Sequence, residues 1–267
     1  MKIVSSERNP SIKKYLKLLK GNLEDDKLLP LEGARLVEEA LNSGIQIEDF
    51  FYVPELIDND MLMKLMDLLP SGANKIAITE GLLKKMAETK TPQGIMAIAS
   101  YPYYDYKEVL ESPGLLAVLV DQIQDPGNMG TIIRSAAGAG CDAVFYTPGT
   151  VRYSNPKVLR STAGILFNIK VIPIDDLKEF SHGVKANNIS LFAADADAPQ
   201  YYFEADFRKP AVILIGNENK GISKELQEMN YNWIRIPLMK GVESLNAGVA
   251  AGIIVFEAAK QREYYTK

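Results

Sequence analysis

The sequence predicts an α/β fold built on a parallel sheet, preceded by a smaller α/β unit. Three observations carry that expectation. From Gly114 onward, short apolar runs alternate with segments of helical period. Leu115–Val120 is a continuous apolar run, as in a strand covered on both faces. Several of these runs end in polar, glycine-containing loops that open into helices, which is where open α/β sheets bind ligands.

Taken in order, Asn9-Pro10 reads as an N-cap followed by proline at the first helical position. A basic helix to about Lys20 follows, with Ile12, Leu16 and Leu19 as its apolar stripe. Gly21–Asp26 reads as a polar loop. Between 28 and 99, helices are expected at 32–43, 58–69 and 80–88, and strands at 49–53, 75–78 and 94–99. Tyr101-Pro102-Tyr103-Tyr104-Asp105 and Ser112-Pro113-Gly114 punctuate the chain. The expected organisation is therefore a domain at 1–100, a linker at 101–113 and a second domain at 114–267.

In the second domain, strands are expected at 115–120, 143–147, 168–172, 190–194, 211–215 and 233–236. Helices are expected at 128–140, 155–162, 175–187, 222–229 and 244–262, the last capped by Ser244.

Composition narrows the chemistry. The 267 residues include one His (His182) and one Cys (Cys141). A zinc site made of Cys and His needs about three or four ligands, so none can form within the chain, and no metal is expected. An internal disulfide is impossible, and a free Cys fits a reducing cytoplasm. His182 lies in a Ser-His-Gly context with no nucleophile elbow. No apolar run approaches the ~20 residues that cross a membrane, and the N-terminus lacks a signal-peptide apolar region.

The net charge of −4 is unevenly distributed. Residues 1–20 hold Lys2, Arg8, Lys13, Lys14, Lys17 and Lys20 against Glu7 alone, a net of +5 that leaves −9 for the rest. Residues 150–170 hold Arg152, Lys157, Arg160 and Lys170 with no acid. Both stretches are candidate phosphate contacts, though each also fits a solvated basic face.

Three constellations in the second domain can carry chemistry. The first runs from Asp121 through Asp125-Pro126-Gly127-Asn128-Met129-Gly130 to Arg134 and the small-residue stretch 135–140. Arg134 is the only charge between Asp125 and Asp142, and an arginine there needs an anion or acceptor. The third glycine of a dinucleotide fingerprint is absent. The second, Gly216-Asn217-Glu218-Asn219-Lys220-Gly221, follows the run 211–215 and offers a strand-end carboxylate. The third runs from Ile236-Pro237 to Ser244-Leu245-Asn246 and an Ala/Gly-rich helix. Each alone also fits an ordinary packed helix or loop.

Together and in this order, they closely resemble motifs 1, 2 and 3 of the SpoU/TrmH branch of the SPOUT superfamily, over essentially all of 114–267. The resemblance implies S-adenosyl-L-methionine-dependent methylation of a ribose 2′-hydroxyl in RNA, a deep trefoil knot and a homodimer around the first and last helices of the catalytic domain. On it, Asn128 and Arg134 fall on the polar pair of motif 1, Glu218 on the motif 2 carboxylate, and Ser244 and Asn246 on the polar pair of motif 3. Gly216, Ile236 and Leu245 fall on positions whose backbones hold the cofactor. One departure is visible: Gly248 stands where many members carry a second serine. Leu31-Glu32-Gly33 and Thr89-Lys90-Thr91-Pro92-Gln93-Gly94-Ile95 resemble the ribosomal-protein-like RNA-binding domain that precedes the catalytic domain in rRNA-modifying members.

That domain favours rRNA, of the large subunit, over the alternatives of a tRNA ribose methyltransferase or a non-catalytic ribosome-assembly factor. The 2′-hydroxyl must lose a proton, and His182 matches no motif. A guanidinium stays protonated at neutral pH, so the expected role of Arg134 is to grip a phosphate and stabilise the developing alkoxide. Asn128 would orient it, Glu218 would orient it or accept hydrogen bonds, and Ser244 and Asn246 would position the ribose and the cofactor end. Tyr101, Tyr103 and Tyr104 could stack on bases but fit linker packing better. Trp233 reads as core, and Cys141 as buried and inert.

Overall fold

The computed structural model describes residues 3–21 and 27–264, in two compact units. Lys2 and residues 22–26 of the expected polar loop lie outside the described residues.

In the first unit, α1 (Pro10–Leu19) begins as its sequence dictates: the Asn9 side chain accepts from the amides of Ser11 and Ile12. Its buried face is Ile12, Tyr15 and Leu18, with Leu16 and Leu19 only partly covered. The expected stripe is displaced because Tyr15 wins the core position. Its ring packs edge-on against Phe51 at 5.7 Å, and its hydroxyl donates to the Leu31 carbonyl. The strand β1 (Leu28–Glu32) lies where no strand was expected. Pro30 obscures it, and the sheet tolerates that proline because β1 is an edge strand.

Then follow α2 (Ala34–Asn42), β2 (Gln46–Tyr52), α3 (Asn59–Leu68), β3 (Asn74–Ala77), α4 (Glu80–Met86) and β4 (Ile95–Ser100). The sheet order is β1-β4-β2-β3, with β4 antiparallel to β1 and β2, and β2 parallel to β3. The two motifs of this unit meet. The Glu32 carboxylate accepts from the backbone amides of Glu88 and Thr89 and from the Thr89 hydroxyl, tying the 87–94 loop to the end of β1.

The second unit starts inside the expected linker. Residues 106–110 form a short helix, α5 (Tyr106–Leu110), capped by Asp105. Val109 and Leu110 hold it down by burying in the core of the unit. Next come β5 (Leu116–Val120), α6 (Pro126–Gly138), β6 (Ala143–Tyr146) and α7 (Pro156–Thr162). Residues 154–167, including α7, group with the first unit. The chain continues through β7 (Lys170–Pro173), α8 (Leu177–Ala186), β8 (Ser190–Ala194), β9 (Gln200–Tyr201), β10 (Ala211–Ile215), α9 (Lys224–Gln227), β11 (Asn232–Arg235) and α10 (Ala247–Gln261).

These strands form a seven-stranded, wholly parallel sheet in the order β7-β6-β5-β10-β8-β11-β9. Every residue of β5 and β10 is buried, as their unbroken apolar runs require. The chain winds outward from β5 through β6 and β7, then returns to the other side of β5. That reversal makes the carboxyl ends of β5 and β10 a switch point, where ligands bind in open sheets.

The helices α6 and α10 pack against each other through small residues. A Cβ on Gly248 would lie 2.9 Å from Thr131, and one on Gly252 would lie 3.3 Å from Ser135. The small-residue faces of α6 and α10 thus pack together within one chain. Among the described residues, no helix is long and apolar enough to cross a membrane.

Candidate active site

Three loops converge at the carboxyl ends of β5, β10 and β11. Asp125 caps α6 by accepting from the Asn128 amide at 2.9 Å, which fixes the first turn of that helix. The Asn217 side chain donates to the Gln122 carbonyl at 2.8 Å and accepts from the amides of Asn219 and Lys220, so it organises the second loop from within. A paired backbone bridge between Asn217 and Gly221 closes that loop. Gly216 cannot carry a side chain, since a Cβ there would lie 2.7 Å from the backbone of Gly221.

A cleft of about 270 Å³ opens beside these loops. Ile215, Ile234, Ile236, Leu238 and Leu245 supply apolar wall, and Gly216, Asn217, Glu218 and Ser244 add backbone and polar groups. The three residues expected to hold a cofactor, Gly216, Ile236 and Leu245, all line it. An apolar slot with backbone groups exposed at a glycine suits a flat heterocycle such as adenine.

Three of the five expected catalytic residues form one hydrogen-bonded chain at this cleft. Asn246 donates to Asn128 Oδ1 at 2.7 Å, and Asn128 Nδ2 donates to Glu218 Oε1. Glu218 belongs to both the chain and the cleft wall. Asn246 is not in the first turn of α10 but is its N-cap, accepting from the amides of Gly248 and Val249. Ser244, expected as the cap, lies in the preceding loop and lines the cleft instead. Asparagine takes the cap because its Oδ1 reaches two orphan amides while its Nδ2 remains free to donate.

Arg134 stands apart from this chain. It is exposed on α6, on the Gly127–Thr131 stripe, and Glu218 is engaged by Asn128 rather than by Arg134. His182 is exposed on α8 and lines neither the cleft nor the chain. Cys141 is buried, and that burial pushes its thiol up to about 12. Trp233 packs at the margin of the core. Tyr101 is buried and Tyr103 exposed, with the Lys27 ammonium 5.3 Å from the Tyr103 ring; Tyr104 carries Lys170 at 5.9 Å.

The basic stretches are partly occupied. Lys14 pairs with Glu48, and Arg160 lies 3.9 Å from Glu32, whereas Lys13, Lys17 and Lys157 are exposed. Among the described residues, no group of three or more His, Cys, Asp or Glu could hold a metal.

Sequence reasoning missed Asp195 and Asp197, which line the cleft after β8. Their position at a strand's carboxyl end was the available signal.

Comparisons with known proteins give the family of the two matched segments. The SpoU rRNA Methylase family model matches residues 115–256, and the MRM3-like substrate binding domain model matches residues 9–97. The chain is 33% identical to the 23S rRNA (guanosine(2553)-2'-O)-methyltransferase RlmP of Bacillus subtilis, over 96% of this chain and 98% of that one. Its structure is similar to that of an rRNA methyltransferase from Sinorhizobium meliloti, with a TM-score of 0.86, 27% identity and 97% of each chain covered. It is also similar to the SpoU methyltransferase AviRb from Streptomyces viridochromogenes in complex with AdoMet, with a TM-score of 0.87, 27% identity, and 96% of this chain and 99% of that one covered.

Proposed function

This chain belongs to the SpoU rRNA methylase family, and we propose how its cleft moves a methyl group from S-adenosylmethionine to a ribose 2′-hydroxyl of large-subunit rRNA. It is an RNA 2′-O-ribose methyltransferase. The observation that carries the site assignment is the cleft lined by Gly216, Ile236 and Leu245 with the Asn246–Asn128–Glu218 chain at its wall.

Bound in the cleft, S-adenosylmethionine supplies an electrophilic methyl group; the protein supplies orientation and a site shielded from water. Ile215, Ile234, Ile236, Leu238 and Leu245 would hold its adenine, with Gly216 at the same wall. Asn128, locked between Glu218 and Asn246, presents a fixed amide to the ribose. Ser244 contributes a hydroxyl at the same wall. Arg134, exposed and without a hydrogen-bond or ion-pair partner among the described residues, grips the neighbouring phosphate and stabilises negative charge developing on the 2′-oxygen. As the C–O bond forms and the C–S bond breaks, the hydroxyl proton would pass to water or to a phosphate oxygen of the RNA, so no imidazole base is required.

The first unit delivers the RNA. The match to a substrate-binding domain and the name of the Bacillus subtilis relative support rRNA over tRNA. Lys13 and Lys17, exposed on α1, are assigned as phosphate contacts. A homodimer is part of the same reading, supported by the exposure of Val249 and Phe256 on α10. So are the knot implied by the family and a cytoplasmic site of action, the latter supported by the free Cys141.

The test is to incubate the protein with labelled S-adenosylmethionine and total RNA from a strain lacking it, then map ribose methylation. Label confined to one 2′-oxygen of 23S rRNA is expected. Label in tRNA would replace the substrate, and the absence of label from both would favour a non-catalytic assembly role.

A further inference from the structure

Asp121 has no part in the chemistry above, yet it is fully buried at the carboxyl end of β5. A buried carboxylate is costly unless its oxygens are hydrogen-bonded. Here both are: the Thr147 hydroxyl donates to Oδ1 and the Ser223 amide to Oδ2, each at 2.7 Å. These partners are neutral, so this is a tether and not an ion pair.

The Ser223 amide closes the far end of the loop 216–223, which carries Gly216, Asn217, Glu218 and Gly221 into the cleft wall. The near end is held by the next residue. Gln122 sits in the left-handed region at φ 54, and its carbonyl accepts from Asn217 Nδ2. An unbranched non-glycine residue at positive φ is uncommon and persists where its surroundings fix it. Adjacent residues of β5's exit thus hold both ends of one loop.

We infer that Asp121 is a positioning residue: with the Gln122 carbonyl it clamps the loop 216–223 in the shape that binds the cofactor and presents Glu218 to Asn128. The inference rests on the reading of the cleft as the S-adenosylmethionine site. The hydrogen bonds carry the role rather than the charge. An asparagine at 121 can keep both, its Oδ1 accepting from Ser223 and its Nδ2 donating to the Thr147 oxygen.

The test compares Asp121→Asn, Asp121→Ala and Ser223→Pro with the wild-type chain. Proline suits the φ of −60° at Ser223; it removes the amide donor and sets the ring Cδ against Asp121 in its place, so the tether cannot form. S-adenosylmethionine affinity is measured by calorimetry, and amide hydrogen exchange is followed over 216–223. Asp121→Asn is expected within about threefold of wild type. Asp121→Ala and Ser223→Pro are expected to lose about tenfold in affinity, the equivalent of ~1.4 kcal/mol, with faster exchange in that loop and not in the rest of the sheet. Wild-type affinity in Ser223→Pro, or an Asp121→Asn variant as weak as Asp121→Ala, would overturn the clamp. Should Asp121→Ala fail to fold, the other two variants still decide. Should the wild-type chain not bind S-adenosylmethionine, the cofactor reading fails, while the exchange data still test the clamp.

Discussion

Asn246 holds two structures together with one amide: its Oδ1 caps α10 by accepting from Gly248 and Val249, and its Nδ2 donates to Asn128 at 2.7 Å. The cap belongs to stability and the donor to the site. Asn246→Asp separates them, because a carboxylate still caps a helix N-terminus but cannot donate. Its thermal midpoint is expected to stay at the wild-type value while methyl transfer falls about tenfold or more. Asn246→Ala loses both, with ~1 kcal/mol of stability gone. A thermal scan and a labelled-methyl assay on the two variants read the separation directly.

Arg134 is exposed and has no hydrogen bond or ion pair among the described residues, so its replacement is expected to leave the fold alone. Arg134→Lys keeps the charge and loses the planar fork. Turnover is expected to fall about 100-fold, in the range of a lost charge-stabilising donor. Turnover near wild type in a folded variant would remove Arg134 from the mechanism.

Gly248 explains the one departure from the family's motif 3. A Cβ at that position would meet Thr131 Cβ and Cγ2 at 2.9 Å and Asn246 Oδ1 at 3.2 Å. Gly248→Ala, and likewise the serine common in the family, is expected to cost about 1–3 kcal/mol as an overpacked contact. Thr131→Ala removes one of the crowding atoms and is expected to recover part of that loss, measured by denaturant unfolding of single and double variants.

Cys141 is buried, and its thiol is raised from an ordinary value to about 12, first by burial and then by the nearby Asp142. The reactive thiolate is therefore scarce at pH 8. Alkylation by iodoacetamide at that pH is expected to be at least tenfold slower in the folded chain than in the unfolded one. Cys141→Ala should leave methyl transfer unchanged, since the thiol takes no part in it.

The sequence by itself determined the α/β class, the parallel sheet and the motif residues around the cleft. Those features rest on local signals: unbroken apolar runs for β5 and β10, and glycine where a backbone must be approached. The single His and Cys already excluded a zinc site made of Cys and His within the chain. Tertiary structure alone decided which motif residues touch. Glu218 and Asn128 are far apart in the chain, and nothing in either motif indicates that the carboxylate takes Asn128 rather than Arg134. It also decided that Asn246, not Ser244, caps α10, that Tyr15 displaces Leu16 and Leu19 from the core, and that Pro30 lies in an edge strand. The reason is common to all four. Periodicity and capping preference describe what one segment favours, whereas the choice among competing partners depends on which groups packing brings within hydrogen-bonding or contact distance.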